Sequence, residues 1–252
     1  INFDWYFFHK VIKYNHFFEE KMQNIYITGT GFWIPEDGLT TNDEVVNSYN
    51  TYVDNFNREN ADAISNGSLE AMSHSSSEFI EKASGIKTRY LFDKQNCLDP
   101  NRMKPKTRPE LPDNTSILAE MGIESAKKAI ANAGITVDDI DGIILGTSHS
   151  ARNYPAIAIE IQEALGINGY AYDMLVGCSS TTFAISNAYS DIASGLASTI
   201  LVINPELTSP GNDFRIRDSH FIFGDACVAT IVQGNLNDPK DVFQIKDREL
   251  VT

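Results

Sequence analysis

An α/β fold with a largely parallel sheet is predicted for this chain on three observations. Short β-like runs alternate with helical patterns from Met22 onward, which calls for crossover connections and helices on the sheet faces. The helical patterns stop at glycines such as Gly134 and Gly166, where a left-handed residue closes a helix. A length of 252 residues, 42% hydrophobic and 21% charged, gives enough core for one large domain or two small ones and lies far from disordered composition.

The elements follow in order. Residues 25–28 read as a strand ending in Gly29-Thr30-Gly31, and Thr41-Asn42-Asp43-Glu44 then offers a cap and an acidic first turn to a helix. Residues 116–133 carry Ile123, Ala126, Ile130 and Ala133 at helical spacing before Gly134. Residues 140–146 form a buried strand. Pro155 opens a helix that runs to Leu165, residues 171–176 are strand-like, residues 179–193 are helical, and residues 198–203 supply the next strand. On the 179–193 helix, Ile185, Ala188, Tyr189 and Ile192 share one side.

Two stretches break the rhythm. Residues 50–77 are polar and helix-compatible, whereas residues 92–114 hold Pro100, Pro105, Pro109 and Pro112 with a basic cluster of Arg102, Lys104, Lys106 and Arg108. Both are expected to be insertions, either solvated surface or a binding loop. Residues 1–21 carry eight aromatics, lack the pattern of a signal peptide and precede Met22, which reads as the natural start. They are expected to be an upstream extension, with an amphipathic surface helix as the alternative.

With 20 Lys plus Arg against 34 Asp plus Glu, the formal charge is −14, which argues against a nucleic-acid partner. No apolar run approaches the ~18 to 20 residues of a membrane span. Cys97, Cys178 and Cys227 are odd in number and form no CxxC pair, so neither a disulfide framework nor a zinc site is expected, and a reducing cytoplasm fits best. Cys227 reads as a buried small residue on a strand, and Cys97, in the Pro-rich stretch, is expected to be exposed. Gly29-Thr30-Gly31 lacks the spacing of a dinucleotide fingerprint.

Chemistry concentrates at Asp173-Met174-Leu175-Val176-Gly177-Cys178-Ser179-Ser180. A cysteine after a buried strand, at a glycine turn and at the start of a helix sits where amide groups and the helix dipole favour a thiolate, and that makes a nucleophile. The alternative is a small buried side chain at a tight turn.

Several separated motifs decide between these readings. Residues 25–31 with Pro35, Ser84-Gly85-Ile86-Lys87-Thr88-Arg89, Arg152-Asn153-Tyr154-Pro155-Ala156, Gly177-Cys178-Ser179, and Arg217 with Ile222-Phe223-Gly224-Asp225 stand in the order seen in the β-ketoacyl-acyl carrier protein synthase III family. From Met22 to about Thr252 the chain resembles that family's N-terminal two-thirds. The resemblance implies a thiolase-like fold, layered αβαβα with mostly parallel mixed sheets, with residues 22–220 as the first half and residues 221–252 ending that half and starting a second one. It also implies a homodimer and a cysteine that takes an acyl group from coenzyme A before condensation with malonyl-acyl carrier protein. Coenzyme A is then a substrate and no cofactor is expected.

Carried over by position, Cys178 matches the acylated nucleophile. Phe79 falls where the family has a Trp that stacks on the adenine of coenzyme A, and Arg217 where its Arg covers the other face. Ala83, beside Lys82, replaces a second Arg. Tyr154 matches an aromatic that crosses the dimer interface to close the partner's acyl pocket. Each has a plainer reading: Phe79 as a core residue, Arg217 as an ion pair with Asp213 or Asp218, and Tyr154 as an ordinary interface residue. Arg102, Lys104, Lys106 and Arg108 are expected to dock the acidic carrier.

Condensation needs donors aimed at a thioester oxygen, which the family takes from a His and an Asn in its C-terminal half. The five histidines are His9, His16, His74, His149 and His220, and none matches that motif; His220 is read as structural and His149 as a loop residue. The chain thus reads as a truncated portion of a longer enzyme. The alternatives are a non-condensing acyltransferase on the same scaffold and a catalytically silent fragment or dimer partner.

Overall fold

The computed structural model describes residues 24–106, 115–150, 152–236 and 241–250; the expected extension at residues 1–21 and Arg108 lie outside them. In chain order the elements are β1 (Ile25–Trp33), β2 (Leu39–Thr41), α1 (Asn42–Glu59), α2 (Ala61–Ser65), α3 (Ser77–Ser84), β3 (Thr88–Tyr90) and α4 (Lys94–Cys97). There follow α5 (Ile117–Ala133), β4 (Gly142–Thr147), α6 (Ile157–Leu165), β5 (Tyr170–Leu175), α7 (Ser180–Ala193), β6 (Thr199–Leu207), β7 (Asp225–Gly234) and β8 (Phe243–Gln244).

The main sheet has the order β5-β4-β6-β7-β1-β8. Side chains alternate across its strands, so Ile143, Leu145, Leu201 and Ile203 enter the core under α5 and α6, while Ile144, Ile200 and Val202 enter the core under α7. Helix–sheet–helix layering follows from that two-sided burial. The expectation of a largely parallel sheet holds only for β5, β4 and β6. Strand β7 runs antiparallel to both β6 and β1, and β8 antiparallel to β1. The reason is connectivity: β7 returns beside β6 with no crossover helix between them, and a neighbour reached without a crossover runs in the opposite direction.

Local chemistry sets the helix ends. Ser116 accepts the Ala119 amide at 3.2 Å to start α5, and Gly134, at φ 68°, ends it. Thr41 and Glu44 form a reciprocal capping box at the start of α1. The two glycines of Gly29-Thr30-Gly31 serve packing. A Cβ on Gly31 would lie 2.2 Å from the Ser125 carbonyl oxygen, and one on Gly29 2.5 Å from that of Ala129, so α5 rests directly on the backbone of β1.

A satellite unit built from β2, β3, α1, α3, α4 and residues 212–223 stands beside the sheet. Residues 50–59 continue α1, in keeping with their helix-compatible composition, and Val53 is fully buried. The structure corrects one expectation here. Cys97 is fully buried among Tyr49, Leu91, Met103 and Phe214 instead of exposed. The proline-rich stretch folds back under α1, where Ser48 donates to the Leu98 carbonyl at 2.7 Å. Met103 and Pro105 are buried while Arg102, Lys104 and Lys106, which alternate with them, are exposed.

Candidate active site

Parallel strands β4, β5 and β6 bring their C-terminal ends, at Thr147, Leu175 and Leu207, to one edge of the sheet, the edge where α/β sheets gather reactive groups. After β5 the chain makes a single 3-10 turn, Gly177–Ser179, and enters α7. Gly177 has φ 57°, a left-handed value that glycine adopts without strain. Cys178 is exposed at the tip of this turn, whereas Cys97 and Cys227 are buried. Burial pushes each of those two thiols up to about 12, so one thiol of three faces solvent and the other two are held protonated. Ser179, the N-cap of α7, makes no side-chain capping bond, leaving the positive end of the helix dipole beside Cys178.

The surrounding groups are polar and mostly bonded, although the buried Asn204 Oδ1 has no partner among the described residues. Ser180 Oγ accepts the Val176 amide at 3.0 Å and lies 2.9 Å from the Thr147 carbonyl. Asn204 donates to the Gly146 carbonyl at 2.9 Å, and Ser148 donates its amide to Glu206 at 2.8 Å. The sequence motif includes Ser180 but gives it no role, and neither Asn204 nor Glu206 carries a signal along the chain.

Phe79 and Arg217, far apart in sequence, meet. The Arg217 guanidinium carbon lies 4.2 Å from the Phe79 ring centroid, a cation–π contact, and Arg217 Nε donates to the His74 carbonyl at 2.8 Å. The ion pair with Asp218 is long, at 3.9 Å, and exposed, so it contributes little. A base sandwiched between ring and guanidinium needs about 7 to 8 Å, twice a carbon contact distance, so the slot is closed at the observed spacing. Lys82 and Ala83 are exposed on α3. Beneath the pair, buried Arg89 donates to Asn42 Oδ1 at 2.6 Å and to the Phe221 carbonyl at 3.3 Å, and Phe221 meets Phe79 edge to face at 6.0 Å.

His220 is a core residue, 1% exposed and stacked on Tyr49 at 4.8 Å. Burial pushes its imidazole down to about 4, with nearby Arg89 and Arg217 acting in the same direction. The unfolded chain takes up this proton near pH 6.5 and the folded chain only near pH 4, so stability falls as pH drops through that window. Between pH 6.5 and 4.5 the expected loss is about 2 to 3 kcal/mol. Urea midpoints at the two pH values read it directly; a His220→Phe variant with an unchanged pH slope would refute the assignment.

Tyr154 is 83% exposed. The helix behind it, α6, has no acceptor of its own at Ala156; the carboxylate of Asp173 on β5 supplies one, taking the Ile157 and Ala158 amides at 2.7 and 2.9 Å. Arg152 pairs with Glu160 and donates to the Pro155 carbonyl at 2.8 Å. Asp173 therefore links the loop of Tyr154 to the strand that leads to Cys178. Arg102, Lys104 and Lys106 are exposed, but Arg102 turns back onto the carbonyls of Lys104 and Pro105 at 2.8 and 3.2 Å. A groove of about 800 Å³ between residues 33–38 and 92–98 includes none of the expected site residues. Among the described residues no helix is long and apolar enough to cross a membrane.

A mixed sheet with helices on both faces and an exposed cysteine at a strand-to-helix turn defines a thiolase-like protein. The family model described as 3-oxoacyl-[acyl-carrier-protein] synthase III matches residues 172–247, the segment holding Cys178 and Arg217. The β-ketodecanoyl-[acyl-carrier-protein] synthase of Pseudomonas aeruginosa is 50% identical over 206 residues, 81% of this chain and 59% of that protein. A β-ketoacyl-[acyl-carrier-protein] synthase III of Mesorhizobium japonicum is 35% identical over 169 residues, 67% of this chain and 46% of that one. The crystal structure of 3-oxoacyl-[acyl-carrier-protein] synthase III from Aquifex aeolicus superposes with a TM-score of 0.62 at 26% identity, covering 85% of this chain and 55% of that chain. The chain belongs to the β-ketoacyl-acyl carrier protein synthase III family, and it spans about half the length of the curated relatives it matches.

Proposed function

We propose that this chain supplies the acyl-accepting cysteine of an acyl-CoA-primed condensing enzyme in fatty acid synthesis, and that its primer is a medium-chain, eight-carbon acyl group. The observation that carries the reading is the solvent-exposed Cys178 on its 3-10 turn at the head of α7. In the first step the Cys178 thiolate attacks the thioester carbonyl of the acyl-CoA. The bond from that carbonyl to the coenzyme sulfur breaks, and coenzyme A leaves with the proton Cys178 gave up. The positive end of α7 favours the negative charge that develops here. In the second step malonyl-acyl carrier protein loses carbon dioxide, its carbanion attacks the acyl-cysteine carbonyl, and the thiolate is released with a 3-oxoacyl-acyl carrier protein. The resemblance assigns the donors for this step to a His and an Asn in the family's C-terminal half.

The name of a relative supports this chain length. A β-ketodecanoyl product has ten carbons, condensation adds two, and the primer therefore has eight; at 50% identity this is the best guide to the pocket. The coenzyme's adenine would dock at Phe79 and Arg217, with Arg217 moving off the ring. Tyr154, 83% exposed at its loop tip, would reach a second copy of the chain across the free edge of β5 in a homodimer, and the protein would work in the cytoplasm. Lys104 and Lys106, with Arg102 behind them, would meet the acidic carrier. Charge reversal at Lys104 and Lys106 is expected to raise the KM for malonyl-carrier several-fold; unchanged carrier dependence removes that assignment.

Incubation with octanoyl-CoA, followed by peptide mass spectrometry, is expected to add one octanoyl group to the Cys178 peptide. No mass gain overturns the reading. Acyl transfer to an alcohol or amine in place of carbon–carbon bond formation with malonyl-carrier would identify a non-condensing acyltransferase instead.

A further inference from the structure

We infer that Ser180 is a positioning residue that sets the posture of Cys178, and this rests on the reading of Cys178 as the acyl acceptor. Cys178 and Ser179 are exposed, so packing does not hold them. Gly177 is not held by packing either: a Cβ built on it meets nothing within 4 Å, and its φ of 57° is one glycine adopts without strain. The turn's own restraints are two backbone bonds, from the Ser179 amide to the Val176 carbonyl at 3.2 Å and from the Ser180 amide to the Gly177 carbonyl, and neither ties it to the neighbouring strand β4.

Ser180 provides that tie. Its side chain is 2% exposed, and its oxygen accepts the Val176 amide at 3.0 Å, on the strand side of Gly177. Its single proton has two acceptors in range, the Gly177 carbonyl at 2.8 Å and the Thr147 carbonyl at 2.9 Å. One hydroxyl thus joins the end of β5, the glycine of the turn and the end of β4. The backbone adds a second restraint: a Cβ on Gly146 would lie 2.7 Å from the Ser180 carbonyl oxygen, so the first residue of α7 is pressed against β4. Cys178 is carried between these two fixed points, Val176 and Ser180, and its sulfur keeps a constant place at the helix N-terminus.

The test needs no acyl substrate. Alkylation by iodoacetamide reads Cys178 alone, because Cys97 and Cys227 are buried and thiolates are the reacting species. Ser180→Ala is expected to slow alkylation roughly three- to tenfold, the range for one lost hydrogen bond, and Ser180→Thr, which keeps the hydroxyl, is expected to restore it. A merely structural hydroxyl would lower the melting temperature of Ser180→Ala and leave the rate at the parent value, and that result overturns the inference. Should Ser180→Ala fail to fold, hydrogen exchange in the parent decides: the Val176 amide is expected to be protected, and exchange at the speed of an open turn overturns it. A parent chain that shows this dependence yet gains no octanoyl group refutes the proposed function while the role of Ser180 stands.

Discussion

Cys178→Ala is expected to abolish the acyl-enzyme and to lower acyl transfer by on the order of 10³-fold or more, as loss of a covalent nucleophile does when binding groups remain. The size of the effect follows from the cysteine inventory. Cys97 and Cys227 are buried, with thiols pushed up to about 12, so neither substitutes for the missing sulfur. Cys178→Ser keeps the shape of the turn and replaces the thiol with a far less acidic hydroxyl, and is expected to fall nearly as far. Single-turnover transfer from octanoyl-CoA, with the melting temperature as control, checks both. Residual transfer within tenfold of the parent in a folded Cys178→Ala chain would place the chemistry on another group.

The second large effect concerns stability. Asp225 is 1% exposed at the start of β7, and its carboxylate accepts three backbone amides: Thr208 and Ser209 at 2.8 and 2.9 Å on one oxygen, and Phe92 at 2.8 Å on the other. It thereby fastens the residues that follow β6, and those that follow β3, to the sheet. Asp225→Ala strands those donors where water has little access. At about 1 to 3 kcal/mol for each unsatisfied buried group, partly relieved by rearrangement, the expected cost is roughly 3 to 5 kcal/mol. That is a large part of the ~5 to 15 kcal/mol that holds a typical domain folded. Asp225→Asn keeps one acceptor and is expected to lose less than half as much. Urea denaturation measures both, and a loss under about 1 kcal/mol for Asp225→Ala would refute this account. Because the turn at Thr208 leads toward Arg217, the same variant should also loosen the Phe79–Arg217 contact.

Periodicity and end signals located most elements within a few residues. The 179–193 helix is observed as a 3-10 turn and then Ser180–Ala193, and the 116–133 helix as Ile117–Ala133. Such segments were legible because helix caps and core-facing spacing act over four or five residues of contiguous chain. Cys178 was legible for the same reason, since strand, glycine, cysteine and helix follow one another directly. Strand direction was not. Whether β7 lies parallel or antiparallel to β6 depends on where residues 208–224 travel, and nothing in the β7 residues themselves encodes it.

Burial in the 92–106 stretch was misread for a related reason. Its lysines and arginines are conspicuous in sequence, while the inward positions, Cys97 and Met103, are separated by irregular backbone without a fixed period. The closure of Arg217 onto Phe79, 138 positions apart in the sequence, likewise depends on Arg89 and Phe221 standing beneath them.

By itself, the amino-acid sequence determined the α/β class, the family, and a cysteine set between strand and helix, because each is written in short-range order along the chain. Tertiary structure alone decided that Cys97 is buried, which strands run against one another, and that Ser180 and Asp225, both buried, and half-buried Asp173 hold the reactive edge in place. Those outcomes are pairings between distant segments, and a hydrogen bond or a buried contact exists only once folding has brought its two halves together.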